Sequence, residues 1–143
     1  MVMKVDMECS LGSDEQAVAQ PAIVLVVDDN EDNLSLLAFL VEQLNCQILT
    51  AVDGKTALDL VESHQPSLIL LDMMLPDLDG LEVLSRIRQN PVKAKIPVIA
   101  VTAMARQQDR ERILSAGCNE YVTKPYNVDE IDALMRRYLG QEG

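Results

Sequence analysis

Short apolar runs alternate along the chain with longer segments in which apolar residues recur every three or four positions. This alternation repeats five times after residue 20. The short runs predict buried strands at 23–27, 47–51, 68–71, 97–102 and 121–123. The longer segments predict helices at 30–44, 54–63, 81–87, 105–116 and 128–138. Strands that alternate with helices are typical of βαβ units, so the pattern predicts a five-stranded parallel sheet with helices on both faces.

The same pattern divides the chain into one domain and two tails. Residues 1–20 lack apolar periodicity and are rich in acidic and small polar residues, which predicts a flexible N-terminal tail. The periodic part, residues 21–140, has a length typical of one compact domain. Residues 141–143 are predicted to be a short C-terminal tail.

Polar side chains stand where four of the predicted strands end. Asp28 and Asp29 follow the first strand and Asp72 follows the third, while Thr102 ends the fourth strand and Lys124 follows the fifth. The carboxyl ends of parallel strands meet at one edge of a sheet, where open α/β sheets place their sites. Three carboxylates, a hydroxyl and an ammonium group are therefore expected to converge. This set suits a divalent cation and a phosphoryl group.

Charge excludes two classes of partner. The chain has 23 acidic and 12 basic residues and a formal net charge of -11. Such a surface repels nucleic-acid phosphates and anionic lipid headgroups. The N-terminal segment has no apolar core of signal-peptide length, and no apolar run is long enough to span a bilayer. We therefore expect a cytoplasmic protein that binds neither nucleic acid nor membrane.

Two smaller groups of charged residues lie outside the predicted site. The basic stretch of Arg86, Arg88, Lys93 and Lys95 is predicted to be a solvated rim, with contact to a partner as the alternative. Asp77 and Asp79, which follow Pro76, are predicted to serve the turn before the third helix.

Four motifs resemble those of a known family. They are VVDDN at 26–30, LLDMMLPDLDG at 70–80, VTA at 101–103 and KP at 124–125. In this order, at the ends of the corresponding strands, they resemble the receiver domain of two-component response regulators over residues 23–139. The resemblance implies a flavodoxin-like, doubly wound sheet of five parallel strands in the order 2-1-3-4-5, with five helices.

The resemblance also implies the nucleophile and a metal site. Asp72 would be the phosphoacceptor, because a carboxylate gives an acyl phosphate that can be passed on or hydrolysed. Mg²⁺ would bind to Asp29, to Asp72 and to the backbone carbonyl of Met74, with Asp28 acting through water. Mg²⁺ prefers an octahedral shell of oxygen atoms and keeps several waters, so these few ligands suffice.

The remaining strand-end residues would act on the phosphoryl group. By resemblance, Lys124 pairs with the acceptor carboxylate and then with a phosphoryl oxygen, and the Thr102 hydroxyl donates to another. The bond between Lys124 and Pro125 would be cis, as in the family. Tyr121 matches the aromatic switch position, where the ring turns inward when the threonine moves toward the phosphoryl group.

Two methionines are predicted to set the lifetime of the phosphorylated form. Met74 is the second residue after the acceptor, and Met104 is the second residue after the threonine. Neither side chain can hold an attacking water molecule as an amide or a carboxylate could. The sequence therefore predicts slow intrinsic dephosphorylation.

The predicted function is that of a phosphorylation-controlled signalling switch that catalyses only its own phosphotransfer and dephosphorylation. The expected phosphoryl donor is a sensor histidine kinase or a histidine phosphotransfer protein. The output would be binding to a downstream protein target or formation of a phosphorylation-dependent homodimer, without a DNA-binding output domain. The sequence names neither the kinase, the stimulus nor the target.

Three alternative functions fit the sequence less well. A haloacid dehalogenase phosphatase needs a second Asp two positions after its nucleophile, where this chain has Met74. A dinucleotide-binding domain needs a glycine-rich turn after its first strand, where VVDDN supplies carboxylates that repel a pyrophosphate. The third alternative is a receiver-like protein-binding module that works without phosphorylation, and the complete acidic set argues against it.

Overall fold

Strands and helices alternate strictly in the computed structural model, which describes residues 21–103, 106–125 and 127–140. The strands are β1 (Ile23–Val27), β2 (Gln47–Ala51), β3 (Leu68–Asp72), β4 (Val98–Thr102) and β5 (Glu120–Thr123). The helices are α1 (Glu31–Gln43), α2 (Gly54–His64), α3 (Gly80–Gln89), α4 (Gln107–Ser115) and α5 (Val128–Leu139). The predicted tails, 1–20 and 141–143, lie outside the described residues.

The five strands form one parallel sheet in the order β2-β1-β3-β4-β5. This order, with four helices between the strands and α5 after β5, confirms the flavodoxin-like, doubly wound fold. The chain moves from β1 to β2 in one direction and then crosses back to β3 in the other. Such a reversal leaves a crevice at the carboxyl edge between β1 and β3, which is where ligands bind in open α/β sheets.

The core consists of two layers, one on each face of the sheet. Strands of a parallel sheet are covered on both sides, so alternate residues of one strand enter different layers. Val24 and Val26 of β1 pack in the layer that contains buried residues of α1 and α5. Leu25 and Val27 pack in the layer beneath α2, α3 and α4. None of the five helices of the described residues combines the length and apolar character that crossing a lipid bilayer requires.

Side chains from the loops fix where most helices begin at the carboxyl edge. Asn30, Asp53 and Asn127 accept hydrogen bonds from the backbone N–H three residues later, and Asp79 accepts one from Leu81 N–H. Such caps satisfy N–H groups that the helix itself leaves unpaired. Helices α1, α2, α3 and α5 therefore start close to the strand ends that carry the predicted site.

The basic stretch, which begins in the last turn of α3, is not uniformly solvated, and the prediction of a solvated rim is wrong for two of its members. The Arg88 guanidinium donates to the carbonyl oxygens of Gly117, Ala94 and Ile96 at 2.9, 3.0 and 2.7 Å, and to the Asn119 side chain at 3.0 Å. It thus joins α3 to the segments that enter β4 and β5. The other exception, Lys93, is only 6% exposed.

Candidate functional site

An acidic cluster occupies the carboxyl edge of the sheet. It consists of Asp28, Asp29 and Asp72, each of which has an oxygen within 4.8 Å of an oxygen of the other two. Asp28 and Asp72 are 1% and 3% exposed, whereas Asp29 is open to solvent. The structure therefore brings together the three carboxylates that the sequence predicted to converge.

Asp72 ends the central strand β3, and both of its carboxylate oxygens are held. Oδ1 accepts a hydrogen bond from the backbone N–H of Met74 at 2.9 Å, and Oδ2 accepts one from the Lys124 ammonium at 2.9 Å. Burial raises the pKa of Asp72, and these two hydrogen bonds offset only part of that effect. The carboxylate is thus fixed in orientation while it stays poorly solvated.

Lys124 lies just after β5 and reaches across the edge to two carboxylates. Its Nζ is 2.9 Å from Asp72 Oδ2 and 3.4 Å from Asp28 Oδ2. Burial by itself lowers the pKa of Lys124, but the two carboxylates outweigh this and the pKa is raised. The ammonium therefore stays charged. Its backbone N–H donates to the carbonyl oxygen of Thr102 at 2.9 Å, and the Lys124–Pro125 peptide bond is cis, as the resemblance implied.

Asp28 is held by groups from the start of α1 that the sequence analysis did not identify. Its Oδ1 accepts the backbone N–H of Asn30 at 2.9 Å, and its Oδ2 accepts the side-chain amide of Asn33 at 3.2 Å. An amide in the first turn of the helix that follows the aspartates is a signal that could have revealed this contact. The two hydrogen bonds fix the carboxylate beside Lys124.

The charges of the site do not balance. Among the residues that the structure describes, three carboxylates face one ammonium group, and two of the carboxylates are almost fully buried. Buried charge is costly unless it is paired. The donors are all carboxylate oxygens, which suit a hard cation such as Mg²⁺ better than a thiolate- or imidazole-binding metal. The acidic cluster therefore fits a divalent metal site.

A shallow cleft opens beside the acidic cluster. Its volume is about 440 Å³. The lining comes from the end of β1, from the loop after β3 and from α4: Asp29, Met73, Met74, Leu75, Pro76, Asp79 and Arg112. Met74 is 60% exposed at its rim. The cleft meets the acidic cluster at the exposed Asp29 and borders Met73 and Met74, which follow Asp72 in the chain.

The predicted switch residues lie at the β4–β5 side of the site. Thr102 is fully buried at the end of β4. Tyr121 is half-buried, and its hydroxyl has no hydrogen-bond partner among the described residues. Arg110 of α4 lies above the Tyr121 ring, with its Cζ 5.1 Å from the ring centroid, which is within the range of a cation–π contact. Burial raises the pKa of Tyr121. Met104, the second predicted lifetime residue, lies outside the described residues.

Asp77 accepts hydrogen bonds from outside its own turn, and the sequence analysis did not predict these contacts. Its carboxylate accepts the backbone N–H groups of Gly54 and Lys55, at 2.7 and 3.0 Å, as well as that of Leu78 at 2.7 Å. These hydrogen bonds lower the pKa of Asp77. The loop after β3 is thereby tied to the start of α2. No local sequence signal marks a contact between residues 23 positions apart.

The chain matches one family model over nearly its whole periodic part. The model is described as "Response regulator receiver domain", and the match covers residues 24–136. Among curated proteins, the polar-differentiation response regulator DivK of Brucella anthropi is 41% identical over 120 residues. The alignment covers 84% of this chain and 98% of that protein.

Solved structures give the same result for the fold. The receiver domain of sensor histidine kinase PA1611 from Pseudomonas aeruginosa has a magnesium ion coordinated in its active-site cleft. It matches with a TM-score of 0.76 and 33% identity, covering 84% of this chain and 98% of that one. The Mn²⁺-bound form of response regulator Rcp1 matches with a TM-score of 0.77 and 27% identity, covering 86% and 98%.

Proposed function

The chain belongs to the response regulator receiver domain family, and from this membership we propose that Asp72 accepts a phosphoryl group from a phosphohistidine on a partner protein. A receiver domain is a regulatory signalling unit of two-component systems. The observation that carries the proposal is the geometry at Asp72. A buried carboxylate is held by Met74 and Lys124 beside two further carboxylates, next to an open cleft.

The proposed reaction is a displacement at phosphorus. A carboxylate oxygen of Asp72 attacks the phosphorus and forms an O–P bond. The P–N bond to the imidazole breaks, and its electron pair leaves on the ring nitrogen. The Lys124 ammonium, which is already 2.9 Å from Asp72, would then pair with a phosphoryl oxygen. The Thr102 hydroxyl would donate to another, so that both groups stabilise the charge of the transition state.

We assign Mg²⁺ to the acidic cluster. Asp29 and Asp72 would be direct ligands together with the backbone carbonyl of Met74, and Asp28 would act through water. When bound, Mg²⁺ neutralises the excess carboxylate charge and withdraws electrons from the phosphoryl oxygens. The crowding of three carboxylates around one ammonium supports this assignment, as does the magnesium ion in the receiver domain of PA1611.

We further propose that phosphorylation acts through Thr102 and Tyr121 on α4, β5 and α5. The Tyr121 ring is packed against Arg110, so a movement of the ring would change the position of α4 relative to β5. Phosphorylation would shift the population between two arrangements of this surface. Slow loss of the phosphoryl group is expected because Met74 and Met104 offer an attacking water molecule neither an amide nor a carboxylate.

Receiver domains interact with histidine kinases and with downstream targets. For this chain we propose a sensor histidine kinase or a histidine phosphotransfer protein as donor, and a downstream protein or a second copy as the receiver of the signal. We place these interactions in the cytoplasm. The proposed division into a tail at 1–20, a receiver domain at 21–140 and a tail at 141–143 leaves the acidic cluster within one domain.

Intact mass after incubation with acetyl phosphate tests the assignment of Asp72. The wild-type chain should gain one phosphoryl group in the presence of Mg²⁺ and much less in EDTA. Asp72→Asn should gain none. Asp59→Asn, which removes an exposed carboxylate from α2, should behave like the wild type. Modification of Asp72→Asn would exclude Asp72 as the acceptor. No modification of any variant would favour the phosphorylation-independent binding module.

The lifetime of the phosphorylated chain tests the role of the two methionines. After removal of acetyl phosphate, the added mass should decay slowly in Mg²⁺ without a phosphatase. Met74→Asn and Met104→Asn introduce amides that can hold water, so each should speed the decay. A wild-type lifetime of only seconds would contradict the assignment.

A further inference from the structure

A cavity separate from the acidic cluster lies between α2 and the end of α3. Its volume is about 200 Å³. Three apolar and four polar residues line it: Leu58, Val61 and Ile87, with Glu62, Arg86, Asn90 and Lys93. Helix α3 begins at the carboxyl edge of the sheet and runs back toward the opposite edge, where Lys93 precedes β4. The cavity therefore lies away from the proposed phosphoacceptor.

Lys93 is the unusual member of this lining, because it is a charged residue that is 6% exposed. Its backbone is fixed in a turn: its N–H donates to the Asn90 carbonyl at 3.0 Å, and its carbonyl accepts the Ile96 N–H at 3.1 Å. Its ammonium has neither a hydrogen bond nor an ion pair with any residue that the structure describes. Glu62 also lines the cavity, but no ion pair joins it to Lys93.

The Lys93 ammonium has no ion pair among the described residues and belongs to a residue with little exposed surface, so an anionic group placed beside it would gain a charge-assisted hydrogen bond. The cavity has an apolar part, formed by Leu58, Val61 and Ile87, so a group that is apolar in one part and anionic in another complements this part and the Lys93 ammonium. The second cation of the lining, Arg86, is already paired with Glu82 at 2.8 Å. Lys93 is therefore the group that an incoming anion would meet.

The size of the cavity indicates the kind of occupant. Pockets for cofactors and drug-sized molecules usually enclose about 300–1,000 Å³, so this cavity suits one large apolar side chain. Val92, which precedes Lys93, is 69% exposed and extends the apolar surface beyond the cavity. A protein segment can fill the cavity with one side chain, cover Val92 and bring a carboxylate to Lys93.

We propose that this cavity is a docking site for a partner protein, which inserts an apolar side chain beside Lys93 and pairs an adjacent carboxylate with its ammonium. The inference goes beyond the phosphorylation function and does not depend on it. Because the cavity and the acidic cluster lie at different places on the molecule, a partner bound here leaves the Asp72 carboxylate accessible. Such a site would let the protein be held by one partner while it exchanges phosphoryl groups with another.

Short synthetic peptides test the chemistry of the site. One set has a central Leu, Met or Phe followed by Glu, and a matched set has Gln in place of Glu. Amide resonances of the full chain are followed during titration. The Glu peptides should shift resonances of Val61, Ile87 and Lys93. The Gln peptides should bind about tenfold more weakly or worse, because they lose a hydrogen bond between charged groups.

Variants of the cavity test whether Lys93 makes the contact. Lys93→Met keeps most of the apolar stem and removes the charge, so the Glu peptides should bind about tenfold more weakly. Lys95→Met is the matched control, since Lys95 is exposed and does not line the cavity, and it should bind as the wild type does. Leu58→Trp fills the cavity from α2 and should abolish binding even if Lys93→Met fails to fold.

Several outcomes would overturn the proposal. These are the absence of peptide binding at the solubility limit, equal binding of Glu and Gln peptides, and unchanged binding by folded Lys93→Met and Leu58→Trp proteins. Hexanoate provides a further test, because it has an apolar chain and a carboxylate but no peptide backbone. If it binds as tightly as the best peptide, the site takes a small carboxylate and the docking of a protein is excluded.

Discussion

Repulsion within the acidic cluster should make the metal-free protein less stable than a variant with one carboxylate fewer. Asp29 is the residue to change, because Asp28 and Asp72 both bind Lys124 whereas Asp29 is exposed and has no such ion pair. Asp29→Asn keeps the size of the side chain and removes its charge. We expect this variant to have a higher free energy of unfolding in the absence of divalent cations.

The magnitude follows from the distances in the cluster. An oxygen of Asp29 lies within 4.8 Å of oxygens of Asp28 and Asp72. Two like charges at that distance repel by about 0.9 kcal/mol in water and by about 3.5 kcal/mol at an effective dielectric constant of ~20. We take the lower value for each pair because Asp29 is exposed. Loss of a carboxylate near the N-terminus of α1 subtracts about 0.3–1 kcal/mol, which leaves a gain of about 1 kcal/mol.

Urea unfolding at matched ionic strength, in EDTA and in MgCl₂, measures both parts of this prediction. A gain of about 1 kcal/mol corresponds to roughly 3–5 °C in Tm for a domain of this size. The wild type should be stabilised by Mg²⁺, by about 1.4 kcal/mol when the cation is at ten times its Kd. Asp29→Asn should gain less from Mg²⁺, because it lacks a proposed ligand.

Asp32→Asn is the control for this experiment. It removes the same charge from the first turn of α1 but lies outside the acidic cluster. Without repulsion to relieve, it should leave the metal-free stability unchanged or slightly lower, and it should keep the full gain from Mg²⁺. The reasoning is refuted if metal-free Asp29→Asn is no more stable than Asp32→Asn and both variants gain from Mg²⁺ as the wild type does.

Three further predictions concern the scaffold around the site. Asp77→Asn should lower the thermal midpoint at pH 7. Because the pKa of Asp77 is lowered on folding, its stabilisation is present above its ordinary value of 3.8 and is lost as the pH falls through the folded-state pKa. The two midpoints should therefore converge in melts below pH ~4, and a constant difference would contradict this. Arg88→Met should cost about 2–4 kcal/mol in urea unfolding, since it leaves three backbone carbonyls without their donor. Arg86→Met, which breaks an exposed ion pair, should cost no more than about 1 kcal/mol, and equal losses for both would contradict the prediction. Gly80→Ala should lower the free energy of unfolding by about 1–3 kcal/mol, because its Cβ would lie 2.5 Å from Met73 Cα. A variant that is as stable as the wild type in urea would contradict this prediction.

The sequence predicted the central strands β1, β3 and β4 well because a strand that is covered on both faces is a short, nearly continuous apolar run. Strands β1 and β2 were predicted with their observed bounds, and β3, β4 and β5 differ from the prediction by one residue each. It also predicted that Asp28, Asp72 and Lys124 would meet, since parallel strands present their carboxyl ends at one edge. The order of the strands came from the resemblance to receiver domains, because apolar periodicity does not specify which strands are neighbours.

Contacts between distant loops could not be predicted from the sequence. Nothing near Asp77 indicates that its carboxylate caps a helix that begins 23 residues earlier. Arg88 and Lys93 belong to the same basic stretch as Arg86, yet Arg88 binds three carbonyls and Lys93 is buried. Their environments depend on how α2, α3 and the entry to β4 pack together.

The sequence by itself determined the elements of this protein and the chemical groups at the edge of its sheet, because secondary structure and strand polarity follow from local patterns of apolar and polar residues. Only the tertiary structure decided which oxygen of Asp72 binds Lys124, how Asn33 holds Asp28 and where the cavity beside Lys93 lies. These features depend on distances of a few ångströms between elements that are far apart in the chain. Such distances are set by side-chain packing, to which local sequence patterns are insensitive.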